Sequence, residues 1–369
     1  MTEITFGKEQ AMLADIAVKF FRDKWPIESV RDQLVKEDGF DADLWSEMVD
    51  LGWLGIAVPE ENGGLGLGAM ELVTLAEPMG RSLFGSPFVS TQLAIQAVLA
   101  GGSEDHRSEW LPLLAEGAIG TLATVERTGD WDLEKAGSAA EESGSTVSLS
   151  GSKSFVLDGP VADLVVATVQ WRGEPAVALL RKSVISAPAF ERETVIDETR
   201  RSYRLTLDDI AIEPSDLITG DAARNALRAV RNTALLLLAA EACGGAAGTL
   251  NVILEYLKSR LQFGKPIGSY QALKHPTVDI LCDLERARSH LYHAATIFGE
   301  PEAEAALRMA KAAASDAFAF AGDRAIQFHG AVGFTYECDA QLFLRRALWC
   351  QYQYGDALHH RQRLAELLL

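Results

Sequence analysis

With 369 residues the chain is long enough for two or three modules around a large core. Its 48% hydrophobic and 23% charged residues are a globular composition, and the formal net charge of −18 argues against nucleic acid or an anionic membrane as a partner. Four cysteines (Cys243, Cys282, Cys338, Cys350) lie scattered in mostly apolar helical contexts without a CxxC pair. That argues against a zinc or disulfide framework and for reduced thiols in a cytoplasmic protein.

Residues 1–117 read as helical. Met1–Lys8 carries Glu3 and Lys8 and no apolar core, so no N-terminal targeting signal is expected. Phe6–Phe21 repeats Met12, Ile16, Val18 and Phe20, and Leu44, Trp45, Met48 and Val49 recur at helical spacing before Gly52. The glycine-rich stretch Gly52–Gly68 has neither a P-loop Lys-Ser/Thr nor a strand-to-helix GxGxxG, so it predicts a tight connection rather than a phosphate cradle. Further helices are predicted at Met70–Met79, Pro87–Ala100 and Glu109–Ala115.

From residue 118 to 221 the periodicity changes. Short runs rich in Val, Thr and Leu (Gly120–Glu126, Thr146–Leu149, Lys153–Leu157, Asp163–Gln170, Ala176–Arg181, Tyr203–Leu207) predict a small antiparallel β-domain. Residues 137–146 read as a flexible surface turn. From 222 to 369 the chain returns to helix: Ala222–Leu261, Tyr270–Phe298, Pro301–Phe328, Asp339–Gln353 and Ala357–Leu369 predict an antiparallel four-helix bundle plus a terminal helix. The longest apolar run, Ala234–Ala240, stops at Glu241 and is too short to span a bilayer.

Two stretches of this last region carry candidate chemistry. In Tyr256–His275 the first long helix is expected to end with Gly264 as its C′ residue, Pro266 blocking continuation, and Ser269 capping the next helix at Tyr270-Gln271. Arg260, Gln262 and Phe263 then stand at a helix exit, with Tyr270 and Gln271 at the following entry. Such a corner offers a charged fork for phosphate oxygens, an aromatic face and amide groups, although the spacing equally allows an ordinary turn with a surface arginine. The second stretch, Gln327-Phe328-His329-Gly330-Ala331-Val332-Gly333-Phe334, is by itself a glycine-containing helix end, and His329 reads as a packing or hydrogen-bonding residue rather than a base.

These stretches resemble two segments of the acyl-CoA dehydrogenases. The first is similar to R-x-x-F-G-x-x-I-x-x-x-Q. The second, with Glu337 and Arg345-Arg346-Ala347, is similar to Q-x-H-G-G-x-G-[FY]-x-x-E…R-[RD]-A. Gly52–Gly68 also resembles a mainly structural segment of that family, and the order helical, β, helical is the family's own. The resemblance implies an α+β multidomain fold with an N-terminal helical domain (1–117), a middle antiparallel β-domain (118–221) and a C-terminal four-helix bundle (222–369). It implies FAD as cofactor, an acyl-CoA thioester as substrate and an electron-transfer flavoprotein as acceptor. It further implies that Arg260, Gln262, Phe263, Ile267, Tyr270, Gln271, Gln327 and Gly330 touch the pyrophosphate and adenosine end of a flavin held mainly by the neighbouring subunit.

The departures from the family pattern are specific. The family's Tyr-Glu-Gly-Thr segment, which supplies the carboxylate base, corresponds to Gln353-Tyr354-Gly355-Asp356, so Tyr354 replaces the glutamate; a tyrosine of pKa near ~10 is a poor base at neutral pH. The alternative base position on the first bundle helix falls on Ala234, and its neighbouring substrate arginine on Leu235. Glu241 and Asp356 remain as carboxylates with either a catalytic or a structural reading. In the β-domain the family's T-E-P-x-A-G-S-D becomes Val125-Glu126-Arg127-Thr128-Gly129-Asp130-Trp131-Asp132. K-x-W-I-T-N-G becomes Lys153-Ser154-Phe155-Val156-Leu157-Asp158-Gly159, which loses the flavin-bonding hydroxyl at Leu157.

The retained motifs are those that act on a partner's flavin, and the altered ones act on the subunit's own. The family includes actinobacterial α2β2 members with half the usual flavins, several acting on steroid side-chain CoA esters, and the Tyr354-Gly355-Asp356…His360-Arg361 ending is similar to theirs. The expectation is a subunit that contributes FAD contacts but no base, with a homologous partner carrying the catalytic carboxylate. A self-sufficient homotetramer, a flavin monooxygenase and a flavin-free binding protein on the same fold stay open as alternatives.

Overall fold

The computed structural model describes residues 7–36 and 39–369. The Met1–Phe6 part of the stretch examined for a targeting signal lies outside the described residues. In chain order the helices are α1 (Lys8–Lys24), α2 (Ile27–Val35), α3 (Ala42–Asp50), α4 (Ala69–Arg81), α5 (Phe88–Gly101), α6 (Glu104–Ala115), α7 (Gly220–Ser259), α8 (Gln271–Thr296), α9 (Ala303–His329), α10 (Asp339–Tyr352) and α11 (Ala357–Leu368). The strands are β1 (Gly120–Ala123), β2 (Ala139–Ser143), β3 (Thr146–Ser150), β4 (Ser152–Leu157), β5 (Leu164–Trp171), β6 (Glu174–Arg181), β7 (Phe190–Glu193), β8 (Ser202–Thr206), β9 (Ala211–Ile212), β10 (Leu217–Ile218), β11 (Leu261–Gln262) and β12 (Lys265–Pro266).

Two compact units emerge. The first gathers the N-terminal residues through Asp32, Ala69–Phe84 and Leu235–Leu369. Here α9 packs against α8, α10 and α11, and α4 against α1 and α8. Ala306, Ala310, Ala314, Ala317, Ala321 and Ala325 of α9 are all buried, and so small a face lets neighbouring helices approach closely. Closest of all is the crossing of α4 and α7. A Cβ on Gly244 would lie 1.8 Å from the Glu77 carbonyl oxygen, and one on Gly80 would lie 2.0 Å from that of Glu241. Only glycine fits where two backbones touch.

The second unit comprises Gln33–Gly68 and Gly85–Ala234. Its larger sheet runs β10-β6-β5-β2-β3-β9, with β1 also pairing to β5, and β4-β8-β7 form a separate three-stranded sheet. Most ladders are antiparallel, but β1 and β2 both run parallel to β5, so the larger sheet is mixed. Leu164–Val169 of β5 is buried throughout, which is why it reads as a continuous apolar run rather than an alternating one. The stretch 137–146 is not a loose turn. Ala139–Ser143 is a full strand paired with both β3 and β5; its alanines and glutamates have low strand propensity, and tertiary pairing overrides it. The glycine-rich connection uses its own amides: Leu65 donates to Gly55 O, Gly66 to Val58 O and Leu67 to Ile56 O, all at 2.8–2.9 Å, so these N–H groups are not available to a phosphate.

Helix α7 is long and apolar enough to cross a membrane by length and composition, unlike the short run read within it. The qualifying 18-residue window is 89% buried inside the fold, where an all-round apolar helix belongs.

Candidate functional site

The corner at the end of α7 differs locally from its expected form. The helix stops at Ser259, and Leu261-Gln262 pairs antiparallel with Lys265-Pro266 in a two-residue hairpin. Gly264 is therefore the second turn residue, not a helix C′. Phe263 and Gly264 have φ of 51° and 77°, the left-handed pair of a type I′ turn. Ser269 does not cap α8; it ends a short 3₁₀ turn over Ile267–Ser269, and Tyr270 occupies the N-cap position. Paired strand residues won over helix continuation because Pro266 has no N–H to extend the helix and the Phe-Gly turn reverses the chain.

The hairpin is anchored from beneath. Ile267 is buried, its N–H donates to Arg260 O at 2.9 Å, and the Tyr270 hydroxyl donates to Gln262 O at 3.1 Å. Lys265 Nζ sits 4.4 Å from the Tyr270 ring centroid. Above this base Arg260, Gln262, Phe263 and Gln271 are exposed, Phe263 at 90%. The Arg260 guanidinium makes no hydrogen bond or ion pair within the described residues.

The second motif ends α9. Gln327 is exposed, and Gly330 adopts φ 63°, ψ −141°, a region essentially closed to other residues. Phe334 and Tyr336 follow at 69% and 60% exposure. The structure brings the two motifs together through His329, the packing residue of the second motif, and Tyr256, for which the sequence suggested no role. The Tyr256 ring, one turn before Arg260, stacks on His329 with centroids 4.0 Å apart and an interplanar angle of 23°. An aromatic residue at i−4 from the arginine was the available signal.

The Gln353-Tyr354-Gly355-Asp356 segment is tightly held. Tyr354 and Gly355 lie at φ 56° and 102°. The fully buried Lys311 donates to Gln351 O at 3.2 Å, Gly355 O at 3.0 Å and Ser315 Oγ at 3.0 Å, so all three ammonium protons are used on this turn and its own helix. Burial pushes Lys311 down to about 8. Burial, with the Lys311 and Arg308 cations nearby, pushes His360 down to about 3. Lys311 sits in an alanine-rich stretch, and that isolation was the only sequence cue to it.

Both alternative carboxylates have structural partners. Asp356 caps α11, its carboxylate accepting from His359 N at 2.8 Å. Glu241 is 3% exposed and accepts from Arg346 at 2.6 Å; the fully buried Arg346 also donates to the carbonyls of Leu83 and Phe84. Ala234 and Leu235 are fully buried apolar residues.

In the middle sheet, Glu126 pairs with the buried Lys153 at 2.7 Å and accepts from the N–H groups of Gly137 and Ser138 and from the Ser138 hydroxyl. Burial would raise this carboxyl, but Lys153 and Ser138 outweigh it and hold Glu126 at about 2. Burial also lowers Lys153, the larger effect there than its attraction to Glu126. Phe155 takes a left-handed φ of 57° and gives its N–H to Glu193 at 2.9 Å, and the Leu157 carbonyl accepts from Thr121.

Residues 7–118 match the family model described as acyl-CoA dehydrogenase, N-terminal domain, and residues 225–369 the one described as acyl-CoA dehydrogenase, C-terminal domain. The chain is 32% identical over 349 residues to acyl-CoA dehydrogenase IpdE2 of Mycobacterium tuberculosis, an alignment covering 93% of this chain and 92% of the relative. It belongs to the acyl-CoA dehydrogenase family. Among solved structures, this acyl-CoA dehydrogenase superposes on the Tcur3481-Tcur3483 steroid ACAD with a TM-score of 0.87 at 28% identity, covering 99% and 98% of the two chains. It matches the fold of a chain in the ChsE4-ChsE5 complex from Mycobacterium tuberculosis with a TM-score of 0.90 at 23% identity, covering 100% and 99%.

As a member of this oxidoreductase family the chain has FAD as its cofactor. The donor set at the Arg260 corner fits an anionic dinucleotide: an unpaired exposed guanidinium, exposed amides of Gln262, Gln271 and Gln327, and aromatic faces. The Phe155–Leu157 segment fits the flavin ring system poorly. Leu157 has no side-chain donor, and the Phe155 N–H is already spent on Glu193.

Proposed function

We propose that this chain is one subunit of a heteromeric, FAD-dependent acyl-CoA dehydrogenase, contributing the Arg260–Gln271 and Gln327–Gly330 contacts to a flavin while a homologous partner supplies the base. The observation that carries this reading is the division of labour among side chains. Glu241 is spent on Arg346 and Asp356 on the α11 cap, and Tyr354 stands in the base position. The Arg260 guanidinium, in contrast, is exposed and has no partner among the described residues.

The chemistry FAD supplies when bound is acceptance of the β-carbon hydride of the thioester, paired with removal of the α proton by a carboxylate. This chain's part is to hold the phosphate and adenosine end. The likeness to a steroid ACAD named as two joined components supports both a two-chain assembly and a CoA ester with a bulky, steroid-type acyl group. An electron-transfer flavoprotein is the proposed acceptor.

The test is flavin content per chain together with native mass, on this chain alone and after co-expression with its nearest homologous neighbour. Flavin-poor protein alone and about one FAD per pair of chains in the co-expressed complex is the expected outcome. Full flavin occupancy in a homotetramer would overturn it and return attention to Glu241 and Asp356.

A further inference from the structure

We propose that His329 is a positioning residue for the cofactor edge, holding the Arg260 hairpin in register with the Gln327–Gly330 turn through its stack on Tyr256. The inference rests on reading that edge as the flavin's phosphate and adenosine end, and it adds a specific mechanical role to His329.

The two motifs follow the ends of different helices, the first just after α7 and the second at the end of α9. The Arg260 guanidinium has no partner among the described residues, and the hairpin that follows it has only two paired residues on each strand. A hairpin that short is not stable by itself. The Tyr256–His329 stack supplies a cross-helix contact within one turn of both motifs. Tyr256 precedes Arg260 by four residues, on the same face, and its carbonyl accepts the Arg260 N–H at 2.9 Å. His329 lies between Gln327 and Gly330.

The imidazole is itself oriented. Its Nδ1 lies 2.7 Å from Ala325 O. A carbonyl can only accept, so Nδ1 carries the proton, and the ring plane is tied to the last turn of α9. Tyr256 therefore stacks on a ring that cannot swing, and motion of the α7 end relative to the α9 end must break either the stack or this bond. Displacing the last turn of α7 away from His329 would carry Arg260 with it, because the Arg260 N–H is bonded to the Tyr256 carbonyl.

The test has two readouts: FAD affinity of the co-expressed complex by flavin fluorescence titration, and amide exchange over residues 260–270 of the full-length chain. His329→Ala is expected to weaken FAD binding and to raise exchange over 260–270 by about threefold to tenfold, the range an aromatic pair supports. His329→Phe, which keeps a flat ring, should return both to within about twofold of wild type, and Tyr256→Leu should reproduce the alanine effect from the other helix. Exchange over Leu164–Trp171 of β5 serves as the control for general loosening.

Wild-type exchange in His329→Ala, an equal rise over β5, or a phenylalanine variant as impaired as the alanine one would each overturn the proposal. If the wild-type co-expressed complex binds no FAD at all, the proposed function fails, while the exchange data still decide whether His329 holds the hairpin.

Discussion

Arg260 and Glu241 show opposite fates for two charged side chains, one just past the end of α7 and one within it. Arg260 lies just beyond the end of α7 with an unpaired guanidinium, so its replacement should cost cofactor and not fold. Arg260→Ala is expected to weaken FAD retention in the assembled enzyme by about tenfold to a hundredfold, the range for losing a charge-assisted hydrogen bond, with the thermal midpoint unchanged. Glu241 is the reverse case. Glu241→Gln leaves Arg346 buried without its counter-charge, and a loss of roughly 3–5 kcal/mol in a denaturant titration is expected.

Glu126 carries the acid dependence of the middle sheet. Its folded value of about 2 lies below its ordinary 4.5, so its stabilisation is complete above about 4.5 and is lost as pH falls toward 2. That contribution is at most about 3 kcal/mol. Glu126→Gln should flatten the decline of the urea midpoint across this window; an unchanged slope would show that the Lys153 pair does not set it. At this scale the residues proposed to hold the cofactor could be singled out because their types and spacing lie within short local motifs. The Glu241–Arg346 pair was not, since 105 residues separate its members and nothing along the chain marks them as partners.

The long helices of the C-terminal region were readable from apolar periodicity, and α8 to α11 lie within a few residues of their expected bounds. Three local features escaped that reading for separate reasons. The β11–β12 hairpin has Phe-Gly where a type I′ turn ordinarily carries Asn-Gly. Strand β2 is built of residues that prefer other conformations. Helix α7 ends two residues before its predicted limit because paired strand residues take over. The α4–α7 crossing depends on absent side chains, which hydrophobic patterning does not register. Gly244→Ala places a methyl against the Glu77 carbonyl, and a loss of more than about 2 kcal/mol, read as a lower thermal midpoint, is expected. Asp356→Ala removes the α11 cap and should cost about 1 kcal/mol. Measured beside the matching partner subunit, it should leave the turnover of the complex in place; abolished turnover with intact folding would make Asp356 the base.

Across the whole molecule, the helical, β, helical order was visible in the composition of successive segments. The gathering of Ala69–Phe84 with Leu235–Leu369 into one compact unit was not, because it depends on contacts between segments more than 150 residues apart. The same holds for assembly. A single sequence shows that one set of flavin motifs is retained and another altered, and the structure shows what the altered positions now bind. The decisive whole-molecule measurement is the flavin-to-chain ratio in the native complex, with about one flavin for every two chains expected.

The turn at Phe263 sets thermal robustness against cofactor capture. A large aromatic in the left-handed region costs roughly 1–2 kcal/mol relative to relaxed backbone, and this one is 90% exposed, so it recovers little by burial in the chain itself. A laboratory selection for heat resistance would favour Phe263→Asn at this site. The variant should melt higher as an isolated chain, yet its co-expressed complex should leave the purification column paler, having given up the aromatic face proposed for the flavin edge. Selecting on colour instead of heat should restore the phenylalanine.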